Sequence, residues 1–261
     1  LRELVTRRAG ILGGLRGVPD WAWGPWISRN SYENQAEAEA AIEGMVSRGI
    51  PVAAIVQEAW KGTSDTGEFN SFSRHGWPEA DRFLARCEEL GIRNILWQVP
   101  ILHPDSPHFQ TAKDRGYFVT DPEGGVRLRE HWLAGFGNID FTNPEAAAFW
   151  KDLMRPLMKM PSIAGFKADD GEDIQPADVF HDGRRGWQMH NEYSFLYARA
   201  LTELMDEEGV DGFLWSRSGS LGIEQVALDV AGDDGVFGGE GLGRLGRRRQ
   251  ALFGAALDVR D

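Results

Sequence analysis

Short apolar runs alternate with helical repeats along this chain of 261 residues. The short runs are rich in β-branched and aromatic residues, and they predict strands at 21–27, 51–56, 94–99, 163–168, 213–215 and 226–231. Between them, apolar residues recur every three or four positions, which predicts helices at 38–46, 83–90, 106–115, 143–157 and 193–204. A last helix is predicted at 245–257, so strand and helix succeed one another along most of the chain.

The predicted strands are apolar along most of their length, which indicates burial on both faces. Buried strands separated by helices indicate a parallel sheet, either a (β/α) barrel or a doubly wound sheet. Polar or aromatic residues follow the carboxyl ends of successive strands, in the order Glu58 and Trp60, Gln98, Asp169, Arg217 and Asp233. A barrel enzyme needs a ring of functional side chains at one end of its strands, and these residues could form one. The sequence therefore predicts an α/β fold of the barrel type, as one catalytic domain over residues 1–261.

The charge balance narrows the range of partners. The formal net charge is −12, and neither nucleic acid nor a membrane surface is expected as a partner, because both bind basic faces. No apolar run reaches the ~20 residues that span a bilayer. The first residues do not form a secretory signal, which favours a cytoplasmic location. The oligomeric state is left open.

The sequence contains no support for a cofactor or a metal. No glycine-rich phosphate-binding motif follows an early strand. The six histidines are scattered without an H-x-x-x-H pair. Cys87 is the only cysteine in these residues, so they can form neither an internal disulfide nor a thiolate cluster. Its helical spacing with Phe83, Leu84 and Leu90 predicts a core position.

Segment 165–172, Gly-Phe-Lys-Ala-Asp-Asp-Gly-Glu, ends a predicted strand in a cluster of acids. Since alternate side chains of a strand share a face, Lys167 and Asp169 are expected to point the same way. At the mouth of a barrel such charges are costly to bury unless they are paired or used in chemistry. The segment therefore predicts a functional site, with a solvated salt bridge as the alternative.

Six segments, in matching order and spacing, resemble glycoside hydrolase family 31, a family of retaining α-glycosidases. They are WAWGPWISR at 21–29, ILWQVP at 95–100, DFTNP at 140–144, GFKADDGE at 165–172, MHN at 189–191, and RSG at 217–219 with GD following at 232–233. The resemblance covers about 21–233. Residues 234–261 do not resemble the family and are left unassigned.

The resemblance implies a (β/α)8 TIM-type barrel that hydrolyses a terminal α-glycoside, of the α-glucoside, α-xyloside or α-galactoside type, by double displacement. Asp169 would be the nucleophile and Asp233 the acid/base. Lys167 would favour the charged form of the nucleophile. Two cations would hold sugar hydroxyls, two tryptophans would form walls for the sugar ring, and a glutamate would replace the family's sugar-binding aspartate. The expected substrate-binding residues are therefore Lys167 and Arg217, Trp60 and Trp97, and Glu58.

The chain departs from the family pattern in three ways. Val230 stands where the family usually has an indole, Glu58 is the nearest counterpart of a sugar-binding aspartate, and only six strands are recognisable. We therefore predict a barrel truncated to about six β/α units. It would be open beside its first and sixth strands, with apolar residues exposed along the gap. On its own, such a chain would be inactive or feebly active.

Two other hypotheses remain open. The first is a non-catalytic carbohydrate-binding barrel, or an inactive fragment of a glycosidase. The second is a metal-dependent barrel enzyme that uses Asp169, Asp170 and Glu172 as oxygen ligands. Lys167 would repel the cation, and the segment lacks the spacing of a calcium loop, so the sequence disfavours this second hypothesis.

Overall fold

The structure of the chain is a computed structural model that describes residues 2–11, 16–29, 31–58, 60–61, 71–130, 133–220 and 222–229. Its α-helices are Arg2–Ile11 (α1), Gln35–Val46 (α2), Ala80–Glu89 (α3), Phe109–Asp114 (α4), Pro144–Met154 (α5), Gly186–Met189 (α6) and Glu192–Glu207 (α7). Short 3₁₀ helices occupy Asp20–Trp23, Arg155–Lys159 and Ile223–Gln225. Among the helices described, none combines the length and apolar character needed to cross a membrane.

Six parallel strands form one sheet. They are Trp26–Ile27 (β1), Ala54–Gln57 (β2), Arg93–Gln98 (β3), Ile163–Ala168 (β6), Phe213–Ser216 (β7) and Leu228–Asp229 (β8), and they pair in that order. Ile101–Leu102 (β4) and Gly137–Asn138 (β5) form a separate antiparallel pair in the connection between β3 and β6. All six strands predicted from the sequence are thus present in one parallel sheet.

The sheet has a core on each face. On the outer face, Ile55, Leu96 and Phe166 are fully buried in a large core that also contains residues of the helices. On the inner face, a second and smaller core is formed by Ala54, Val56, Ile95 and Ala164. Successive residues of a strand point to opposite faces. Burial on both faces explains why the strands are apolar throughout instead of alternating with polar residues.

Aromatic contacts between β1 and β7 show that the sheet is curled. The Trp26 ring lies edge-on to Phe213, with centroids 5.4 Å apart, and to Trp215, at 6.2 Å. Four strand spacings separate β1 from β7 in the sheet order, which would be roughly 19 Å in a flat sheet. The sheet is therefore part of a barrel, and the predicted TIM-type fold is confirmed.

The barrel is open over the described residues, because β1 and β8 each pair with one strand only. This confirms the prediction of a truncated barrel with six strands, of which β1, β2, β3 and β6 are followed by α-helices in the described residues. Before β1, Trp23 is 60% exposed, but Trp21 and Trp26 are half-buried. Their rings stack with centroids 5.8 Å apart, and the Trp21 indole donates to the Asp211 carbonyl at 3.1 Å. The exposure of apolar residues along the gap stays a prediction.

Several predicted elements are shorter in the structure. The first strand covers only Trp26–Ile27, because the residues before it form the 3₁₀ helix Asp20–Trp23. Helix α5 ends at Met154, two residues before Pro156, whose ring nitrogen cannot continue the helical hydrogen bonds. The helix predicted at 106–115 is reduced to α4. Residues 230–231 of the predicted sixth strand and the helix predicted at 245–257 lie outside the described residues.

Two local predictions are confirmed. Asn143 caps helix α5 with its side-chain oxygen, which accepts hydrogen bonds from the Glu145 N–H at 2.9 Å and the Ala146 N–H at 3.4 Å. Cys87 lies in the core on helix α3, where burial raises the pKa of its thiol to about 11.

Candidate active site

The carboxyl ends of the parallel strands bring together five of the predicted site residues. Glu58, Asp169 and Arg217 each directly follow a strand, namely β2, β6 and β7. Trp97 and Lys167 lie one residue before the ends of β3 and β6. These strands are neighbours in the sheet, so their ends form one edge of the barrel mouth. Contacts link the five side chains into two groups, Asp169 with Arg217 and Trp97, and Lys167 with Glu58.

The carboxylate of Asp169 is held at both oxygens. Its Oδ1 lies 3.0 Å from Nε of Arg217, and its Oδ2 accepts a hydrogen bond of 2.7 Å from the indole N–H of Trp97. The backbone N–H of Asp169 donates to the Gln98 carbonyl at 2.8 Å. The side chain is 12% exposed. A guanidinium and an N–H donor therefore stabilise a negative charge that is fixed in direction and still reachable from the barrel mouth.

Lys167 has a different partner from the one predicted. Its Nζ lies 2.6 Å from Glu58 Oε1 and 5.3 Å from the centre of the Trp215 ring. The cation that contacts Asp169 is Arg217 instead. Residues two apart on a strand are separated by about 6.6 Å, and the long lysine side chain extends across the barrel mouth toward β2. The expected pairing of Lys167 with Asp169 is therefore corrected to an ion pair with Glu58.

Arg217 lies among three carboxylates. Besides its contact with Asp169, Nη2 lies 2.9 Å from Glu172 Oε2 and 3.6 Å from Asp170 Oδ1. Burial lowers the pKa of Arg217, but the hydrogen bond to Glu172 and the charge of Asp169 outweigh burial, so the pKa lies above its usual value. For Glu172 the effect of burial prevails, so its pKa is raised although the hydrogen bond from Arg217 and its charge act to lower it.

A tight turn follows the Asp169 carboxylate. Asp170 and Gly171 have positive φ angles of 64° and 96°, a region that a side chain disfavours and glycine tolerates. A Cβ on Gly171 would lie 2.9 Å from the Ser218 hydroxyl oxygen. That hydroxyl donates to the Asp170 carbonyl. The turn thus fits closely against the segment that follows β7.

Two arginines and three aspartates form a buried ion network beside this turn. Arg129 contacts Asp170 Oδ2 through Nη1, and its Nε lies 2.9 Å from Asp173 Oδ2. Arg127 makes two hydrogen bonds of 3.0 Å to Asp173, and its Nε lies 3.6 Å from Asp178 Oδ1. Apart from Asp173, these side chains are at most 8% exposed. The network fastens the segment after β6 to the connection between β3 and β6.

Burial raises the pKa of Asp173, but the hydrogen bonds from Arg127 and the charge of Arg129 prevail, so that the pKa is lowered. For Asp178, burial prevails and the pKa is raised. Sequence reasoning missed this network. Its only signal is that Arg127 and Arg129 alternate, as residues on one face of an extended segment do. Their partners stand 41 and 46 positions away, where no local pattern reveals them.

Trp60 does not line the site. Its side chain is 0% exposed, its indole N–H donates to the Trp97 carbonyl at 2.8 Å, and its ring packs 5.3 Å from that of Phe72. The prediction that Trp60 walls a sugar ring is therefore wrong, because a side chain in the core cannot contact a ligand. Trp97 and Trp215 are both half-buried. Trp215 packs against the inner core, and Trp97 lies two positions after Ile95 of that core on β3, so both side chains point to the inner face.

Asp233 lies outside the described residues, which end at 229 in this part of the chain. Its assignment as acid/base stays a prediction. Among the residues that the structure describes, no group of three or more His, Cys, Asp or Glu side chains could hold a metal ion. The hypothesis of a metal-dependent enzyme therefore gains no support from them.

The sequence profile of the glycosyl hydrolases family 31 TIM-barrel domain matches residues 16–235. The chain belongs to this family. The resemblance deduced from six short segments is thereby confirmed over nearly the same range, and the barrel architecture agrees with the domain that the profile describes.

Curated relatives differ in the substrates that their names state. The chain is 30% identical over 237 residues to alpha-xylosidase XylQ of Lactiplantibacillus pentosus, an alignment that covers 84% of this chain and 29% of XylQ. It is 25% identical over 246 residues to a sulfoquinovosidase of Escherichia coli K12, covering 90% of this chain and 36% of that protein. The chain thus spans about a third of the length of these relatives.

Solved structures give the same picture of the fold. A cycloalternan-degrading enzyme from Trueperella pyogenes superposes with a TM-score of 0.78 at 28% identity, covering 87% of this chain and 36% of that one. A cycloalternan-forming enzyme from Listeria monocytogenes superposes with a TM-score of 0.80 at 23% identity, covering 88% of this chain and 24% of that one. The second similarity concerns the fold alone.

Proposed function

We propose that the protein carrying this chain is a retaining α-glycoside hydrolase with Asp169 as its nucleophile. The observation that carries the proposal is the Asp169 carboxylate, held by Arg217 at 3.0 Å and by Trp97 at 2.7 Å at the mouth of the barrel. Double displacement requires an ionised carboxylate that is fixed in direction toward the sugar. Membership of glycosyl hydrolases family 31 supports the same assignment.

In the first step, an oxygen of Asp169 attacks the anomeric carbon of the terminal sugar. The new bond joins that carbon to the carboxylate, and the bond to the leaving oxygen breaks with its electron pair. The leaving oxygen takes a proton from Asp233. As the negative charge of Asp169 is lost, Arg217 keeps its contact with Glu172 at 2.9 Å, so its own charge remains balanced.

In the second step, water replaces the leaving group. Asp233 takes a proton from the water, the water oxygen bonds to the anomeric carbon, and the bond to Asp169 breaks. Two inversions at one carbon retain its configuration. Retaining enzymes hold the two carboxyl groups ~5–5.5 Å apart. Asp233 comes after β8 in the sequence, and β8 is a neighbour of β7 in the sheet. Arg217 directly follows β7 and contacts Asp169, so this order supports an acid/base on the same side of the barrel as Asp169.

The ion pair of Glu58 and Lys167 is proposed to bind sugar hydroxyls. Its atoms lie 2.6 Å apart, and the two side chains are partly exposed at the barrel mouth. A carboxylate accepts and an ammonium donates, so together they can bind neighbouring hydroxyl groups. Trp97 and Trp215, instead of Trp60, offer apolar surfaces to the ring. Arg217 is expected to reach a hydroxyl only while keeping its carboxylate contacts.

The substrate is proposed to be a terminal α-glucoside, α-xyloside or α-galactoside. Relatives named alpha-xylosidase, 1,3-alpha-isomaltosidase and sulfoquinovosidase match the chain at 25–30% identity, which does not favour one sugar over the others. The test is hydrolysis by the full-length protein of aryl α-glucoside, α-xyloside, α-galactoside and sulfoquinovoside. We expect one of the first three to be cleaved with retention of configuration, and cleavage of the sulfoquinovoside alone would refute this choice of substrate class.

Asp169→Asn should lower turnover by about 10³-fold or more while the protein remains folded, because it removes covalent catalysis and not packing. Asp152→Asn is the matched control, since Asp152 is 70% exposed on helix α5 and, among the described residues, pairs with Arg155 three residues on. Binding of a glycoside without hydrolysis would favour the non-catalytic barrel. Wild-type rates in Asp169→Asn would refute the nucleophile.

A further inference from the structure

The buried ion network ends one residue from the proposed nucleophile. Its last link is the contact between Arg129 Nη1 and Asp170 Oδ2, two side chains that are 4% and 5% exposed. Arg129 comes from the connection between β3 and β6, and Asp170 directly follows Asp169 in the chain. Arg129 can therefore act on the nucleophile through one peptide unit.

Arg217 divides its contacts unequally between neighbouring carboxylates. It lies 3.0 Å from Asp169, 2.9 Å from Glu172 and 3.6 Å from Asp170. Asp170 is the most deeply buried of these three carboxylates, so it would be expected to attract the guanidinium most strongly. Its other oxygen is already bound by Arg129, however, and this accounts for its longer contact with Arg217.

We propose that Arg129 is a positioning residue for Asp169: it binds the Asp170 carboxylate and thereby leaves Arg217 to orient the nucleophile. This inference rests on the role of Asp169 in the proposed function. The positive φ of 64° at Asp170 supports it, since this turn must be held by its surroundings. Arg129 holds the side chain of the turn, and Ser218 holds its carbonyl.

Without Arg129, Arg217 is the one cation that remains near the buried Asp170 carboxylate in the part of the chain that the structure describes. Leaving a buried charge unpaired is more costly than loosening a contact of the less buried Asp169. Arg217 is therefore expected to move toward Asp170, and Asp169 is expected to lose its guanidinium. The Asp169 carboxylate is then held by Trp97 from one side only. It is therefore expected to turn and to change the geometry of its hydrogen bond with the Trp97 indole.

The test compares Arg129→Gln with Arg127→Gln in the full-length protein. Both arginines are buried in the same network, but Arg127 contacts Asp173 and Asp178 and does not contact Asp170. We expect Arg129→Gln to lower kcat by about tenfold or more with a smaller change in KM, the loss of one charge-assisted contact. Arg127→Gln should lower stability and leave kcat within about threefold of wild type.

The double variant Arg129→Gln/Asp170→Asn separates positioning from anchoring. It removes the uncompensated charge, and asparagine tolerates a positive φ, so Arg217 has no reason to leave Asp169. We expect kcat to return to within about threefold of wild type. A role of Arg129 in folding alone predicts that the second substitution adds to the damage, which would overturn the proposal.

A second readout does not depend on activity. The indole N–H of Trp97 donates to Asp169. Its proton–nitrogen NMR signal, which is identified by its absence in Trp97→Phe, therefore reports the position of the carboxylate. This signal should shift in Arg129→Gln, stay in place in Arg127→Gln, and return in the double variant. An unmoved signal in Arg129→Gln overturns the proposal, and an observed shift supports it even if no glycoside is hydrolysed.

Arg129→Lys is measured by the same two readouts in case Arg129→Gln does not fold. Lysine keeps the charge but loses the planar fork of the guanidinium, so we expect a smaller shift of the Trp97 signal and a smaller loss of kcat. The proposal would be overturned if Arg129→Lys folds with kcat and the Trp97 signal both unchanged, and if the double variant Asp170→Asn/Arg129→Lys leaves both unchanged as well. Loss of activity in Asp169→Asn with no effect of Arg129 would leave the proposed function standing.

Discussion

Trp97 and Asp169 are joined by a hydrogen bond between neighbouring strands, with the indole N–H 2.7 Å from the carboxylate Oδ2. Trp97 is paired in register with Lys167, and Asp169 lies two positions further along. The indole therefore leans along the barrel mouth toward the carboxylate. Trp97 acts as a donor to the proposed nucleophile as well as offering an apolar surface.

Trp97→Phe should lower kcat by roughly 10- to 100-fold, the range expected for one hydrogen bond to a charged group. Phenylalanine keeps an aromatic surface and removes only the donor. Hydrolysis of an aryl α-glycoside at saturating concentration measures the effect.

The matched control is Trp60→Phe. Trp60 is fully buried and donates to a backbone carbonyl, so its loss should lower the free energy of unfolding by about 1–3 kcal/mol and leave kcat nearly unchanged. Equal losses of kcat in the two variants would show that Trp97 has no special role as a donor.

The architecture was largely predictable from the sequence. Strands buried on both faces leave an apolar run such as Ile163–Ala168, and helices leave a regular repeat, so both are visible locally. Strand ends were less predictable. The chain before β1 forms a 3₁₀ helix although Trp21 and Trp23 suit a strand, because backbone hydrogen bonds within 19–24 replace sheet pairing.

The site was predictable only in part. Alternation along β6 correctly placed Lys167 and Asp169 on one side, but it could not say which cation reaches which carboxylate. That choice depends on Glu58 and Arg217, which come from other strands. Trp60 was misjudged for a similar reason, since two tryptophans in comparable positions differ only in the depth at which they pack.

The pair formed by Glu58 and Lys167 should behave as one binding unit. Glu58→Gln and Lys167→Met are each expected to raise KM by about tenfold, because each removes one hydroxyl contact and leaves a charge without its 2.6 Å partner. The double variant should raise KM by less than the product of the two effects. Steady-state kinetics on all four proteins measures the coupling, and strictly multiplicative effects would argue against a shared role.

Asp233→Ala tests the proposed acid/base. Substrates with poor leaving groups need protonation, whereas activated aryl glycosides do not. We expect a large loss of kcat/KM on the former and a much smaller loss on the latter. Equal losses on both would indicate a structural role for Asp233. The next candidate would then be Glu224, a carboxylate in the 3₁₀ helix Ile223–Gln225 between β7 and β8.

Cys87 gives stability a defined pH dependence. Its thiol pKa rises from 9.0 to about 11 in the folded chain. Below pH 9 the thiol is protonated in both states, and between about pH 9 and 11 it ionises only in the unfolded state. The free energy of unfolding should therefore fall over this window by about 2–3 kcal/mol more in the wild type than in Cys87→Ala. Denaturant titrations at a series of pH values measure the difference, and parallel curves for the two proteins would contradict the prediction.

Gly171→Ala tests the turn that follows the proposed nucleophile. The substitution places a Cβ at a φ of 96° and 2.9 Å from the Ser218 hydroxyl, which itself donates to the Asp170 carbonyl. The turn can accept it only by moving, and Asp169 would move with it. We expect a loss of stability above 1 kcal/mol, the usual size of the backbone effect alone, together with a lower kcat.

Gly183→Ala is the control that separates these two effects. Gly183 also has a positive φ, 85°, but nothing lies within 4 Å of an added Cβ. It should therefore show the backbone cost of about 1 kcal/mol without a change in kcat. Thermal unfolding and saturating kinetics of both variants measure the contrast. If Gly183→Ala lowers kcat as much as Gly171→Ala, the close fit between the turn and Ser218 does not hold the nucleophile in place.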